Sequence, residues 1–514
     1  MTDAITLQVV GAALRGVAEE MLASLVRTAS SPNITERRDA SSAVFDPAGE
    51  MVAQASAIPV HLGALPDAVS AVLAAGAVVG ETWILNDPFA GGTHLPDITL
   101  VSVVPGASGR PLAIVATRAH HADVGGMRPG SMPADSRELL QEGLVIPPTR
   151  LAIGDAVDAG IVGILLANSR TPDERRGDLD AQLAAQILGA RRIGEVAARV
   201  GEGVLSEAGT ELIAYAERRT RAAIAALPDG ILMARDVLEG DGTDLTDIPI
   251  AVIITIDGDQ MTVDFTGTAP QGPGNLNCPA AVTRSAVEFA LRVALDPDLP
   301  ASGGTLTPVR IIAPIGTIVN ARPGAAVAGG NVETSSRLVD VLLQALGQVI
   351  PLPACGQGTM NNLTIGGVGP RGPFTYYETL AGGQGGGPDG PGPSAVHVAM
   401  SNTLNTPVEV LETSYPLQVV GYRVRRGTGG RGASPGGDGV ERRIRVLVPA
   451  EVSIVSERRQ HGAPGLSGGA CGEVGVNLVR GTPVPAKWAG RLGAGDEIAI
   501  LTPGGGGYGA VTEP

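Results

Sequence analysis

Aromatic residues make up only 3% of the 514 positions, cysteine occurs three times, and no apolar run is long enough to span a bilayer. Each scarcity removes a class of protein. Cys278, Cys355 and Cys471 are scattered, odd in number and free of CxxC spacing, which argues against a disulfide framework or a cysteine zinc site and fits a reducing compartment. No stretch approaches 18 uninterrupted apolar residues, and the segment from Met1 to Val10 lacks the basic stretch before an apolar core that a signal peptide requires. A cytoplasmic location without a membrane partner is therefore expected. Basic residues are outnumbered, 37 Lys and Arg against 52 Asp and Glu for a net charge of −15, and no basic stripe with interleaved aromatics occurs. Nucleic acid and anionic membranes are poor partners for such a surface.

Glycine is abundant instead. The 73 glycines are about twice the usual share, and most of the excess falls after about residue 265, which implies many tight turns and ordered loops there. Apolar residues reach 44%, enough to offset the ordering entropy of a large core. Helical spacing over residues 4–29 predicts an amphipathic opening helix that ends before Ser31-Pro32. A strand, turn, strand pattern follows around Asp46-Pro47-Ala48-Gly49, then a small-residue helix at about 64–75 and a buried strand at Thr82 to Leu85. Residues 98–104 and 112–117 are β-branched and apolar, so both read as central strands. Alanine-rich helices occupy 178–226 with a break at Gly201-Glu202-Gly203, a hairpin turns at Asp257-Gly258, and 280–294 and 334–348 read as helices.

Histidine is scarce too, six residues, but four of them stand in the first quarter of the chain and two of these lie beside aspartates. One cluster is Thr93-His94-Leu95-Pro96-Asp97 and the other Ala119-His120-His121-Ala122-Asp123-Val124-Gly125-Gly126. Neutral imidazoles with anionic oxygens at short spacing are what a divalent-metal site needs. Pro96 keeps Leu95 out of helical φ/ψ, so an extended or turned chain must bring His94 and Asp97 together, and Gly91 and Gly92 permit that bend. Alone, an HxxD pattern is more often a capped turn with a hydrogen-bonded histidine. The second cluster follows an apolar strand, where strands deliver functional groups to loop-built sites. Alternation puts His120 and His121 on opposite faces, so one joins the first cluster and the other is free for substrate contact or is a satisfied core histidine. Cys278, His397 and His461 read as structural or surface residues.

These elements predict a mixed α/β (α+β) fold: an N-terminal metal-binding α/β region, central helices, and a Gly-rich, β-dominated C-terminal region. A chain of 514 residues exceeds what one core supports. Composition shifts suggest domains at 1–230 (metal-site region with a helical extension), 231–354 (central α/β region) and 355–514 (Gly-rich region).

A larger pattern spans the chain. Glu36-Arg37-Arg38-Asp39-Ala40-Ser41, Pro59-Val60-His61-Leu62-Gly63, Gly91-Gly92-Thr93-His94-Leu95-Pro96-Asp97 and the His120-His121 cluster occur in order. Gln141 to Pro148, Gly329 to Ser335, Tyr377-Glu378-Thr379, Glu409 to Thr413 and Thr502 to Gly509 follow. Together they resemble the hydantoinase B/oxoprolinase family. The resemblance implies a B-type subunit of an ATP-dependent cyclic-amide hydrolase that opens hydantoin, N-methylhydantoin or 5-oxoproline rings. The alternative it allows is a subunit of the related acetone or acetophenone carboxylases. It implies a hetero-oligomer in which an ATP-binding A-type partner phosphorylates the substrate's carbonyl oxygen while the B-type chain carries a divalent metal. Its implied ligands are Asp39, His94, Asp97 and His120, with His120 preferred to His121 because relatives commonly carry another residue in that second position.

The chain lacks a Gly-x4-Gly-Lys-Ser/Thr phosphate loop, and the glycines from Gly504 to Gly509 have neither the lysine nor the strand-to-helix setting of one. ATP is accordingly expected on the partner, not here. Phosphorylating a lactam oxygen removes much of the amide resonance, after which a divalent ion delivers water by lowering its pKa toward about 7. Two histidines with two carboxylates neutralise a 2+ ion and suit Zn, Mn or Fe. Asp123 is a candidate for orienting a histidine or acting as general base, or else caps the Gly125-Gly126 turn. Glu142 and His121 are further catalytic candidates.

Overall fold

The computed structural model describes residues 3–56, 58–243 and 245–511. Its N-terminal part is built on a seven-stranded antiparallel sheet: β1 (Ala40–Phe45), β2 (Met51–Ser56), β3 (Glu81–Leu85), β4 (Asp97–Pro105), β5 (Pro111–His120), β6 (Thr149–Ile153) and β7 (Ala156–Val157). The spatial order is β2-β1-β5-β4-β3-β6-β7. Asp46 closes the β1–β2 turn by accepting from the Ala48 and Glu50 amides, and Gly49 takes φ +89°. Side chains then alternate between two cores. Val44 and Val115 join Val10, Leu14 and Met21 of helix Ala4–Thr28, with Ala185 and Ile193 of helix Pro172–Val200. Phe45, Ile114 and Ala116 join Leu65, Val69 and Val72 of helix Leu65–Ala74. Covering both faces explains why 98–104 and 112–117 are mostly apolar on both sides of the strand, although the pairing is antiparallel.

The opening helix follows from its pattern. Asp3 caps it by accepting from the Ile5 and Thr6 amides, and Val10, Leu14, Val17, Met21 and Leu25 recur every three or four residues on the buried face. Each such side chain contributes roughly 1.5–3 kcal/mol of apolar burial. Helices Pro172–Val200 and Glu202–Ala225 part at Gly201, whose φ of +88° an L side chain would resist.

Strands Gly230–Gly240, Thr246–Asp257, Gln260–Asp264 and Val309–Ile312 form a four-stranded sheet whose core includes helices Ala280–Ala294 and Ser335–Leu346. The second helix is preceded by a π-turn at Gly330–Thr334, which apolar periodicity does not reveal. Beyond residue 355, a four-stranded and a five-stranded antiparallel sheet share one core around Ile365, Tyr376, Ile444 and Ile454. Gly-rich loops interleave beside them: the Gly505 amide donates to Gly437, Gly437 to Gln384, and Gly386 to Gly506, all at 2.8–2.9 Å. At Gly383, Gly437 and Gly505 a Cβ would overlap a neighbouring backbone carbonyl, so close backbone approach accounts for these glycines. The architecture is the mixed α+β type expected. Among the described residues, no helix is long and apolar enough to cross a membrane.

Candidate metal centre

Strand ends build the site. Asp97 opens β4, His120 closes β5, and the hairpin register sets them directly opposite each other. On the other side of β5, Ala40 pairs with Ala119, which puts Asp39 just beyond β1; the His120 amide donates to the Asp39 carbonyl at 3.0 Å. His94 arrives from the loop ahead of β4, where Gly91 takes φ +90° and the Asp97 amide closes on the His94 carbonyl at 3.0 Å. All four side chains line one buried cavity of about 20 Å³. That is room for one ion or one water molecule.

Ligating atoms of His94, Asp97 and His120 lie within 4.8 Å of one another, and Asp39 lines the same cavity outside that group. Hydrogen bonding leaves the set conspicuously unsatisfied: both ring nitrogens of His94, Oδ1 of Asp97 and Nε2 of His120 are buried with no hydrogen-bond partner. Converging orphaned lone-pair atoms around an ion-sized space are a donor set that fits a divalent cation. A fifth residue, His61, also lines the cavity, with Nε2 3.4 Å from Asp97 Oδ2 and Nδ1 2.9 Å from Ser41 Oγ. In the sequence His61 stands out only as part of the Pro59-to-Gly63 motif, since no carboxylate neighbours it there.

Burial raises the Asp39 carboxyl to about 6, with nearby Asp97 adding to the shift and His61 opposing it. Burial would raise Asp97 as well, yet His94 and His61 outweigh it and hold that carboxyl well below the ordinary range. Desolvation, with His94 beside it, drives His120 well below the usual imidazole value. Neutral imidazole and carboxylate are the forms that bind metals.

A surrounding layer holds these groups. Asn33 Nδ2 lies 3.1 Å from His120 Nδ1 and donates to the His120 carbonyl at 2.7 Å. Thr93 Oγ1 donates to Asp97 Oδ2. The far wall comes from the C-terminal part of the chain, including Tyr377, Thr379, Ser401 and Thr403. Buried Arg37 ties that wall to the site by donating to the Tyr377 carbonyl and the hydroxyls of Thr379 and Thr403.

The three catalytic candidates from the sequence do not line the cavity. His121 turns to the opposite side of the strand, with Nε2 2.9 Å from Gln182 Oε1, and burial lowers it to about 4. Asp123 accepts from the Gly125, Gly130 and Arg170 amides and from the Arg170 guanidinium, so it closes a loop. Glu142 accepts from the Val327 and Ala328 amides and Ser136 Oγ, and burial nevertheless raises it to about 7. Each of these groups is engaged with partners elsewhere in the fold.

The hydantoinase B/oxoprolinase family matches residues 3–511, and the chain belongs to that family. Among curated relatives, 5-oxoprolinase 1 of Arabidopsis thaliana is 38% identical over 99% of this chain. The match takes in 42% of that longer protein, so the chain spans about two-fifths of its length. The crystal structure of the ATP-dependent caprolactamase from Pseudomonas jessenii superposes with a TM-score of 0.92 at 27% identity, covering 99% of this chain and 92% of that one. The nucleotide-free acetone carboxylase shares the fold, with a TM-score of 0.88 at 17% identity over 99% and 76% of the two chains.

Proposed function

We propose that this chain is the metal-bearing part of an ATP-dependent cyclic-amide hydrolase, with ATP handled by an A-type partner subunit. The observation that carries this reading is the convergence of unsatisfied His94, Asp97 and His120 atoms, with Asp39, on an ion-sized cavity. Supporting it are the likeness to a 5-oxoprolinase and to an ATP-dependent caprolactamase, and the lack of a phosphate loop in a chain that matches only part of the longer relative. Asp39, His94, Asp97 and His120 would hold the ion, Zn, Mn or Fe, and His61 would add a hydrogen bond or a further nitrogen beside Asp97. When bound, the ion would supply Lewis acidity, polarising a carbonyl oxygen and acidifying water.

The protein's own groups set the conditions. Burial keeps His120 neutral, His61 and His94 keep Asp97 ionised, and Asn33 orients the His120 ring. The cavity has no room for a lactam ring as it stands, so ring binding beside the ion would require its lining to move.

Co-expression with an A-type partner, followed by assays on hydantoin, N-methylhydantoin, 5-oxoproline and caprolactam, tests the reading. ATP-dependent ring opening of at least one ring is expected. His94→Ala should abolish it while nucleotide binding by the partner persists. ADP release without ring opening on every compound, or full turnover by His94→Ala, would sink the proposal.

A further inference from the structure

One side of His120 is covered by a residue from far along the chain. Tyr377, near the end of strand Gly372–Glu378, stacks on the imidazole with ring centroids 4.6 Å apart and planes 6° from parallel. Its own pose is fixed at both ends. The Tyr377 hydroxyl donates to Asn362 Oδ1 at 2.8 Å, and Asn362 Nδ2 donates to Glu333 Oε1 at 2.7 Å and to the Val455 carbonyl at 2.8 Å. The Arg37 guanidinium lies 5.1 Å from the ring centroid and bonds the Tyr377 carbonyl.

His120 has few other restraints. Asn33 meets Nδ1 at 3.1 Å, the His94 ring stands tilted 5.0 Å away, and Nε2 has no hydrogen-bond partner. The terminal torsion of a histidine is broad, so one neutral hydrogen bond at Nδ1 leaves the ring some rotational freedom. A parallel aromatic face against it removes that freedom.

We propose that Tyr377 is a positioning residue for the metal centre: its ring clamps His120 in the orientation that presents Nε2 to a divalent cation. The proposal rests on reading the cavity as a metal site. It implies that the ligands on the N-terminal sheet reach full affinity only when the sheet carrying Tyr377 is docked on them. The cost of orienting the imidazole is then met during folding, before the ion arrives.

The test is the affinity of the full chain for Zn²⁺ or Mn²⁺ alone, by competition with a chromophoric chelator, with circular dichroism and melting to check the fold. Tyr377→Leu is expected to weaken binding about 10- to 100-fold. Tyr377→Phe keeps the stacking face and should stay within about threefold of the wild type, because only the hydroxyl is lost. Tyr377→Met adapts its flexible chain to the gap without an aromatic face and serves if the leucine variant does not fold. In a His120→Ala background the leucine change should have no further effect, since the clamp then has nothing to hold. Equal affinity of the wild type and both aliphatic variants, a phenylalanine variant as weak as the leucine one, or an undiminished loss in the His120→Ala background would overturn the clamp. A wild-type chain that binds no stoichiometric ion, or a His94→Ala variant that binds like wild type, would instead overturn the metal reading beneath it.

Discussion

At the scale of single residues, burial without a partner has two meanings in this protein. Around the cavity His94, Asp97 and His120 each bring an orphaned atom close to the others, so one cation could take one atom from each. Glu288, in the core-facing side of helix Ala280–Ala294, has an unpartnered Oε1 and no such neighbours. Burial pushes its carboxyl up to about 7, against the pull of Arg292 and Arg284. The folded chain therefore keeps this proton up to about pH 7, whereas an unfolded chain releases it near 4.5. The sign follows: the group costs nothing below the unfolded value, costs progressively more as pH rises between the two, and costs most above 7. Glu288→Gln should match the wild type near pH 4.5 and exceed its stability by at most about 3 kcal/mol at pH 8. Denaturant unfolding at both pH values checks this, and a stability difference independent of pH contradicts it.

At the scale of elements, the Gly-rich loops behave as a packed unit in which backbones, not side chains, touch. Gly505→Ala would push a Cβ into the Gln384 carbonyl while the Gly505 amide still had to reach Gly437. A loss of about 1–3 kcal/mol is expected from such overpacking; a Gly505→Ala protein with an unchanged unfolding midpoint would show that the loops give way freely. The regular elements were legible in sequence because their signals are local. The opening helix, the β1–β2 turn, the hairpin at Asp257-Gly258 and helix 280–294 all lie where apolar period and turn residues predict. Sheet order and the π-turn at Gly330–Thr334 were not, since both depend on partners distant in sequence.

At the scale of the whole molecule, the cavity sits where the N-terminal sheet meets residues from Asn331 to Thr403. A cation bound there would contact only the folded chain. Adding Zn²⁺ or Mn²⁺ at about 100 times its Kd should raise stability by about 2.7 kcal/mol through mass action. A chelator should reverse the gain, and His94→Ala should remove it. Thermal melts with and without metal decide the matter, and an unshifted wild-type melt would remove the basis for a metal centre.

Sequence alone determined the chemistry available: imidazoles and carboxylates at strand-flanking turns, no phosphate loop, and motifs running in family order from Glu36 to Gly509. Local spacing suffices for that, because a turn or a strand end is specified within a few residues. Only the tertiary structure decided which side chains share a space. It turned His120 toward the cavity and His121 toward Gln182, brought in His61 and Tyr377, and left Asp123 and Glu142 holding loops. The physical reason is that a strand sends successive side chains to opposite faces, so the register of β1, β4 and β5, and what docks against their ends, chooses among residues that look equivalent in the chain.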